Sequence, residues 1–233
     1  NVVGDYHLLL AHDVLAQPDR WAAWAARMKL MFYGSAKIIM DSSVIELGAP
    51  VSIEHILEAA EIVKANVIVL PDVIGEMEQS HELIIEAQKH PLLAKYETMF
   101  VPQGCIWGQY VASLEFARQY KIGHHIGLPR DALQFITSRG PLAYMSSILK
   151  PNCPIHLLGF ANANVSDDFI TAATVPHVKG IDSAVPVRAG INEVEFSVAR
   201  SDYGPRGNYW GAEELTSQAV VNIKYVRDLL KGF

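Results

Sequence analysis

Lys37-Ile38-Ile39-Met40-Asp41-Ser42-Ser43 and Val67-Ile68-Val69-Leu70-Pro71-Asp72 carry the pattern from which the fold of this chain is read. Each is a short, unbroken apolar run that ends on a carboxylate. A strand with one wet face alternates apolar and polar residues, whereas an unbroken run suits a strand buried on both faces of a parallel sheet. Five further runs fit the same description: His7–Ala11, Met99–Pro102, His124–Gly127, Ile155–Leu158 and Val178–Ile181. The first two stretches are read as strands over Lys37–Met40 and Val67–Leu70.

Helical spacing fills the intervals. Ser52 caps a predicted helix in which Ile53, Ile56, Leu57, Ala60 and Val63 share one face. Met77–Lys89, Ile106–Tyr120, Asp131–Thr137 and Glu213–Lys231 read the same way. Strands alternating with helices imply right-handed βαβ units on a parallel sheet. The expectation is an α/β protein, a (β/α)8 TIM-like barrel forming a single domain over residues 1–233. Seven strands are legible, so the eighth is expected to be short, irregular or cut away.

The residue at the end of each run is the most informative feature. The runs end at Asp41, Asp72, Gln103, Gly127, Gly159 and Asp182, in steps of 31, 31, 24, 32 and 23 residues. A barrel of this type allots roughly 31 residues to each unit and keeps its chemistry at the C-terminal ends of its strands. Six units thus deliver a polar group or a glycine to one rim. A lone Asp after a strand is ordinarily a turn former or helix cap; three carboxylates and a glutamine at matched positions point to a site. Acid and amide side chains read the hydrogen-bonding edge of a heterocycle, and glycines let a flat ligand approach the backbone. Two further carboxylates, Asp41 and Asp182, suit glycosidic chemistry, one as nucleophile and one as acid or base.

Composition bounds the rest. With 50% hydrophobic and 19% charged residues, the 233-residue chain is expected to be globular, not disordered. No apolar run approaches the roughly 18 residues that span a bilayer, and no signal-like leader is visible, so a cytoplasmic protein with no membrane partner is expected. Cys105 and Cys153 form neither a disulfide framework nor a zinc pattern, and no metal or cofactor is expected. The formal charge of −6 argues against broad coating of nucleic acid.

At the strand ends the sequence resembles the tRNA-guanine transglycosylase family, in order along most of the chain. Asp41-Ser42 resembles the family's Asp-Ser-Gly-Gly strand end, and Asp72 stands where the family has its purine-recognising aspartate. Val101-Pro102-Gln103-Gly104 is similar to Val-Gln-Gly, Ile126-Gly127-Leu128 to Gly-Gly-Leu, and His156-Leu157-Leu158-Gly159 to Tyr-Leu-Met-Gly. Gly180 to Arg188 resembles the Asp-Cys-Val-x-Pro-Thr-Arg signature, with Asp182, Pro186 and Arg188 at the family's mutual spacing. Asn222-Ile223 and Tyr225 resemble the closing helix.

The resemblance implies that Asp182 attacks C1′ of a nucleotide, expels guanine and holds a covalent intermediate, which a free 7-deazaguanine base then displaces. Asp41 is implied as acid/base or base-positioning group. Ser42, Asp72, Gln103, Gly104 and the backbone at Gly127-Leu128 are implied in reading the base, with Leu158 and Gly159 beside its ring. Arg188 and Arg206 are implied in binding nucleic acid.

Two departures shape the expected substrate. The Cys-x-Cys-x-x-Cys zinc module is missing between Arg188 and the last helix, and the stacking aromatic after the Asp-Ser strand end is replaced near Val44-Ile45. The first resembles the shorter enzymes of phages and bacteria that place 7-deazaguanines in DNA, which makes DNA the expected polymer (in a host cytoplasm for a phage protein) and tRNA the alternative. A non-catalytic barrel subunit is the third reading. A second copy of the chain, or a helper protein, is a candidate partner.

Other residues have plainer readings. His124-His125 straddles a strand, with one ring expected inward. Trp21 and Trp24 form a packing stripe. Asn192–Gly211 reads as a long surface loop, whose Tyr203–Trp210 stretch stands beside Arg200, Arg206, Lys224, Arg227 and Lys231 as a candidate basic patch.

Overall fold

The computed structural model describes residues 6–31, 37–130, 132, 138–159, 165–182, 185–197 and 216–231. Seven strands lie in one sheet: β1 (Tyr6–Leu10), β2 (Lys37–Asp41), β3 (Val67–Val69), β4 (Glu97–Phe100), β5 (His125–Leu128), β6 (Ile155–Leu157) and β7 (Val178–Ile181). Their order in space is their order in the chain, and every pair is parallel. Helices fill the crossovers: α1 (Ala11–Ala16), α2 (Pro18–Met31), α3 (Val44–Leu47), α4 (Ile53–Val63), α5 (Met77–Ala87), α6 (Trp107–Gln119), α7 (Gly140–Leu149), α8 (Val165–Thr174), α9 (Val185–Ile191) and α10 (Ser217–Lys231).

The unbroken apolar runs now have their reason. Ile38, Met40, Ile68, Phe100 and Ile126 point outward and pack with Ile56, Ala60, Ile84, Leu114 and Leu142 of the helices. Their neighbours Ile39, Val67, Val69, Met99 and Val101 point the other way and form a second cluster with Tyr6, Leu8 and Leu158. Side chains alternate across a strand, so a strand apolar at every position needs two dry faces. The sheet supplies the inner one by curling. Tyr6 of β1 meets His156 of β6 edge to face, with ring centroids 6.2 Å apart, although four strands separate them in the ladder.

The expected closure into eight strands is not present among the described residues. β1 pairs with β2 and β7 with β6, the latter through an irregularity between Ile155 and His156, and the sheet is open between β7 and β1. Most strands are shifted or shortened by one or two residues from the sequence reading. Ala11 opens α1, Leu70 and Leu158 lie just past their strands, and β4 begins at Glu97 and stops at Phe100. Apolar residues continue into the rim because they still pack there, so hydrophobicity overshoots the hydrogen-bonded ladder.

Ser52 caps α4 as expected, its hydroxyl accepting from His55 N. Met77–Lys89 and Ile106–Tyr120 match α5 and α6 with frayed ends. Of the predicted helix Asp131–Thr137 only Ala132 is among the described residues, and residues 198–215, with most of the aromatic loop and Arg206, lie outside them. Trp21 and Trp24 make an edge-to-face pair at 5.8 Å that packs on the core. His125 points inward onto Glu97 at 2.8 Å, while exposed His124 accepts from Thr98 N at 2.9 Å. No described helix is long and apolar enough to cross a membrane.

The start of the expected surface loop is exposed at Glu193 and Glu195, but Phe196 turns inward. Phe196 is buried with Phe169, Val185 and Ala189, because Asn222 of α10 ties the segment down. Asn222 Oδ1 accepts from Phe196 N at 3.0 Å and Gln218 Nε2 at 2.9 Å; its Nδ2 donates to Pro186 O at 3.2 Å and Val194 O at 2.9 Å. All four hydrogen-bonding positions of one amide are used. Asn222→Leu removes them and leaves three backbone groups without this partner, so urea unfolding should show a loss of about 3 kcal/mol or more.

Candidate functional site at the C-terminal rim

Parallel register brings the six strand ends together. Leu10 stands beside Asp41, Leu128 beside Leu157, and Leu157 beside Ile181. The polar residues just beyond them form two hydrogen-bonded groups.

The first joins β2, β3 and β4. Buried Asp72 accepts from Gln103 Nε2 at 2.5 Å on one carboxylate oxygen and from Ser42 Oγ at 3.3 Å on the other. Gln103 Oε1 accepts from Gly75 N at 3.1 Å, which fixes the orientation of the amide. Asp41 accepts from Ser43 N at 2.7 Å. Ser43 adopts a left-handed conformation, φ 63°, and its hydroxyl accepts from His12 N at 3.3 Å, which ties the β2 end to α1. Non-glycine residues at positive φ are uncommon and gather where surrounding structure holds them.

The second group joins β6 and β7. Asp182, about a third exposed, accepts from His156 Nε2 at 3.0 Å on Oδ1 and from Gly159 N at 3.2 Å on Oδ2. Its own N–H donates to Leu157 O at 3.3 Å. The carboxylate is therefore held at both oxygens while one side stays open to solvent.

Electrostatics links the two groups. Burial pushes the Asp41 carboxyl up to about 7; the Ser43 N–H opposes this, and the negative charges of Asp72, Glu46 and Asp182 add to it. Burial also raises Asp72 to about 6, against the lowering effect of its bonds to Gln103 and Ser42. Three carboxylates converging on one rim cannot all ionise without mutual repulsion, and near neutral pH Asp41 carries its proton about half the time.

Gly127 and Leu128, whose backbone the resemblance assigns to the base, also serve the packing. A Cβ at Gly127 would lie 2.9 Å from Leu158 Cδ1 and from Met99 Sδ, so this glycine makes room for the inner core. The Leu128 side chain is in the outer core. Gly104 is likewise crowded, by Gln109 at 2.6 Å, where α6 packs against the turn. Gly159 needs its glycine for conformation, with φ 62°. Where the family resemblance implies a stacking residue, Val44 is buried and Ile45 is half exposed. Ile74, Ile106 and Trp107 are exposed on the segments just beyond β3 and β4. The side chain of Arg188 lies outside the described residues, as does Arg206.

Sequence reasoning missed Arg139. It is 1% exposed and uses all five of its N–H groups. Nε and Nη2 grip Asp168 at 2.9 and 2.5 Å, Nη1 donates to Leu128 O at 3.0 Å and Leu158 O at 2.7 Å, and Nη2 also donates to Gly159 O at 2.8 Å. One guanidinium thus joins the ends of β5 and β6 and braces the peptide whose N–H reaches Asp182. No local signal marks it, because its partners lie 11 to 29 residues away.

No protein-family model and no curated protein matches this chain.

Two measurements test this geometry. Arg139→Met leaves Asp168 buried without its cation and should cost roughly 3–5 kcal/mol in a denaturation titration, a loss that Arg139→Met/Asp168→Leu partly restores. For Asp41 the folded pKa lies above the unfolded one. Its contribution to stability is fully present below pH 3.8 and is lost as pH rises through about 7. Asp41→Asn should therefore be more stable than wild type at pH 8, by a few kcal/mol at about 1.4 kcal/mol per unit, and nearly equal to it at pH 4.

Proposed function

We propose that this protein is a base-exchanging glycosyltransferase of the guanine transglycosylase type, which replaces guanine in DNA by a 7-deazaguanine, on a barrel of the (β/α)8 kind. The observation that carries this reading is the convergence of Asp41 and Asp182 on one rim with the buried Asp72–Gln103 pair beside them. Such a pair offers acceptors and donors to the edge of a guanine-like ring.

In the proposed reaction an Asp182 oxygen attacks C1′ of the target nucleotide. The C1′–N9 bond breaks, its electron pair leaves with the purine, and protonated Asp41 supplies the proton that yields neutral guanine. The incoming base then gives its N9 proton to the Asp41 carboxylate and attacks C1′. The C1′–O bond breaks and its electrons return to Asp182. A group near pKa 7 serves both as acid in the first step and as base in the second. Two carboxylates in this relation are the general solution for retaining glycosyl transfer.

The choice of DNA over tRNA rests on the missing zinc-module cysteines. Incubation with guanine-labelled DNA or tRNA and a free 7-deazaguanine should release guanine from DNA. A denaturation-resistant protein–DNA adduct should form on the wild type and be absent from Asp182→Ala, with release at least about a thousandfold slower in that variant. Release from tRNA alone would move the substrate to RNA, and exchange by Asp182→Ala at the wild-type rate would remove the nucleophile assignment.

A further inference from the structure

Asp182 is held by two donors, of which one, the Gly159 N–H, is backbone. The other is a side chain that the proposed reaction does not use. His156 lies on the inner face of the sheet, 5% exposed, with Nε2 3.0 Å from Asp182 Oδ1. A nitrogen lone pair and a carboxylate oxygen repel at that distance, so a proton lies between them and Nε2 is the donor.

The sequence around Asp182 is adapted to this ring. A Cβ on Gly180 would fall 2.3 Å from His156 Nδ1 and 2.8 Å from Cε1, so the strand that delivers Asp182 carries a glycine where the imidazole presses against it. On its other side Tyr6 meets the ring edge to face. His125 and Lys179 line the same small inner cavity. Among the described residues, Tyr6 from β1, His125 from β5, Lys179 from β7 and Asp182 just past it are the titratable groups that surround it.

We infer that His156 is the positioning residue of Asp182, and that Gly180 is there to admit its ring. The inference rests on Asp182 being the nucleophile. With Oδ1 and Oδ2 each taken by one donor, the carboxylate plane is fixed and the remaining lone pairs face the open side. The same two donors receive the negative charge that returns to the carboxylate when the C1′–O bond breaks. Loss of the imidazole therefore slows the chemical steps and leaves base recognition by Asp72 and Gln103 as it was.

The test has two arms. In the first, His156 is followed by NMR of histidine-labelled protein, wild type against Asp182→Asn. The Nε2–H proton of His156 should lie downfield and exchange slowly with water in the wild type, and should move upfield when the carboxylate is replaced by a neutral amide. An Nε2–H resonance that the substitution leaves unchanged overturns the pairing whatever the protein catalyses. In the second, base exchange is compared in His156→Leu and His156→Gln, the latter keeping an N–H donor.

His156→Leu should lower kcat about 10- to 100-fold with KM for the free base within about twofold, and His156→Gln should recover much of the loss. Gly180→Ala should resemble His156→Leu. Equal damage in the Gln and Leu variants, or a loss confined to KM, overturns the positioning role. A His156 Nε2–H resonance that moves in Asp182→Asn, together with a wild-type protein that releases no guanine, leaves the pair standing and removes the transglycosylase reading instead.

Discussion

Every strand of this sheet runs the same way, and that single constraint governs the molecule. Parallel neighbours cannot be joined by tight turns, so each strand needs a helical crossover, and the crossovers cover one face. Curling covers the other, as the Tyr6–His156 contact and the inner cluster around Met99 show. The same constraint places every strand's C-terminal end at one rim. A residue just past β2, β3, β4, β6 or β7 has no choice but to face the others, and this is why carboxylates far apart in sequence share one electrostatic environment.

Sharing that environment has a thermodynamic cost, which the fold offsets with fixed donors. Asp72 has Gln103 and Ser42, Asp41 has the Ser43 N–H, and Asp182 has His156 and the Gly159 N–H. None is neutralised by a lysine or arginine among these contacts. The buried guanidinium of the rim, Arg139, is engaged by Asp168 and by three strand-end carbonyls. The outcome is a rim that holds Asp41 and Asp72 at raised pKa and aims its acidic groups, an arrangement that suits proton transfer and carboxylate attack better than tight anion binding.

Packing accounts for the small residue at two of the motif positions. Gly127 and Gly104 occupy motif positions, yet each is small because a neighbour fills its space. Gly159 is the exception, a glycine required by its backbone conformation and placed directly against Asp182. At this rim, packing and chemistry select the same residue type from different causes.

By itself the sequence determined the strand and helix alternation, the polar residue that ends each strand, and their common rim. Apolar runs and strand-end carboxylates such as Ile38–Asp41 and Val67–Asp72 are local, and a spacing of about 31 residues carries the rest. Tertiary structure alone decided that the described sheet is open between β7 and β1, that Phe196 lies under α10, that the Asp41 carboxyl is raised to about 7, and that His156 and Arg139 brace the site. Each of these depends on atoms brought together across tens of residues. Burial, charge proximity and ring packing have no signature in the order of the chain until it folds.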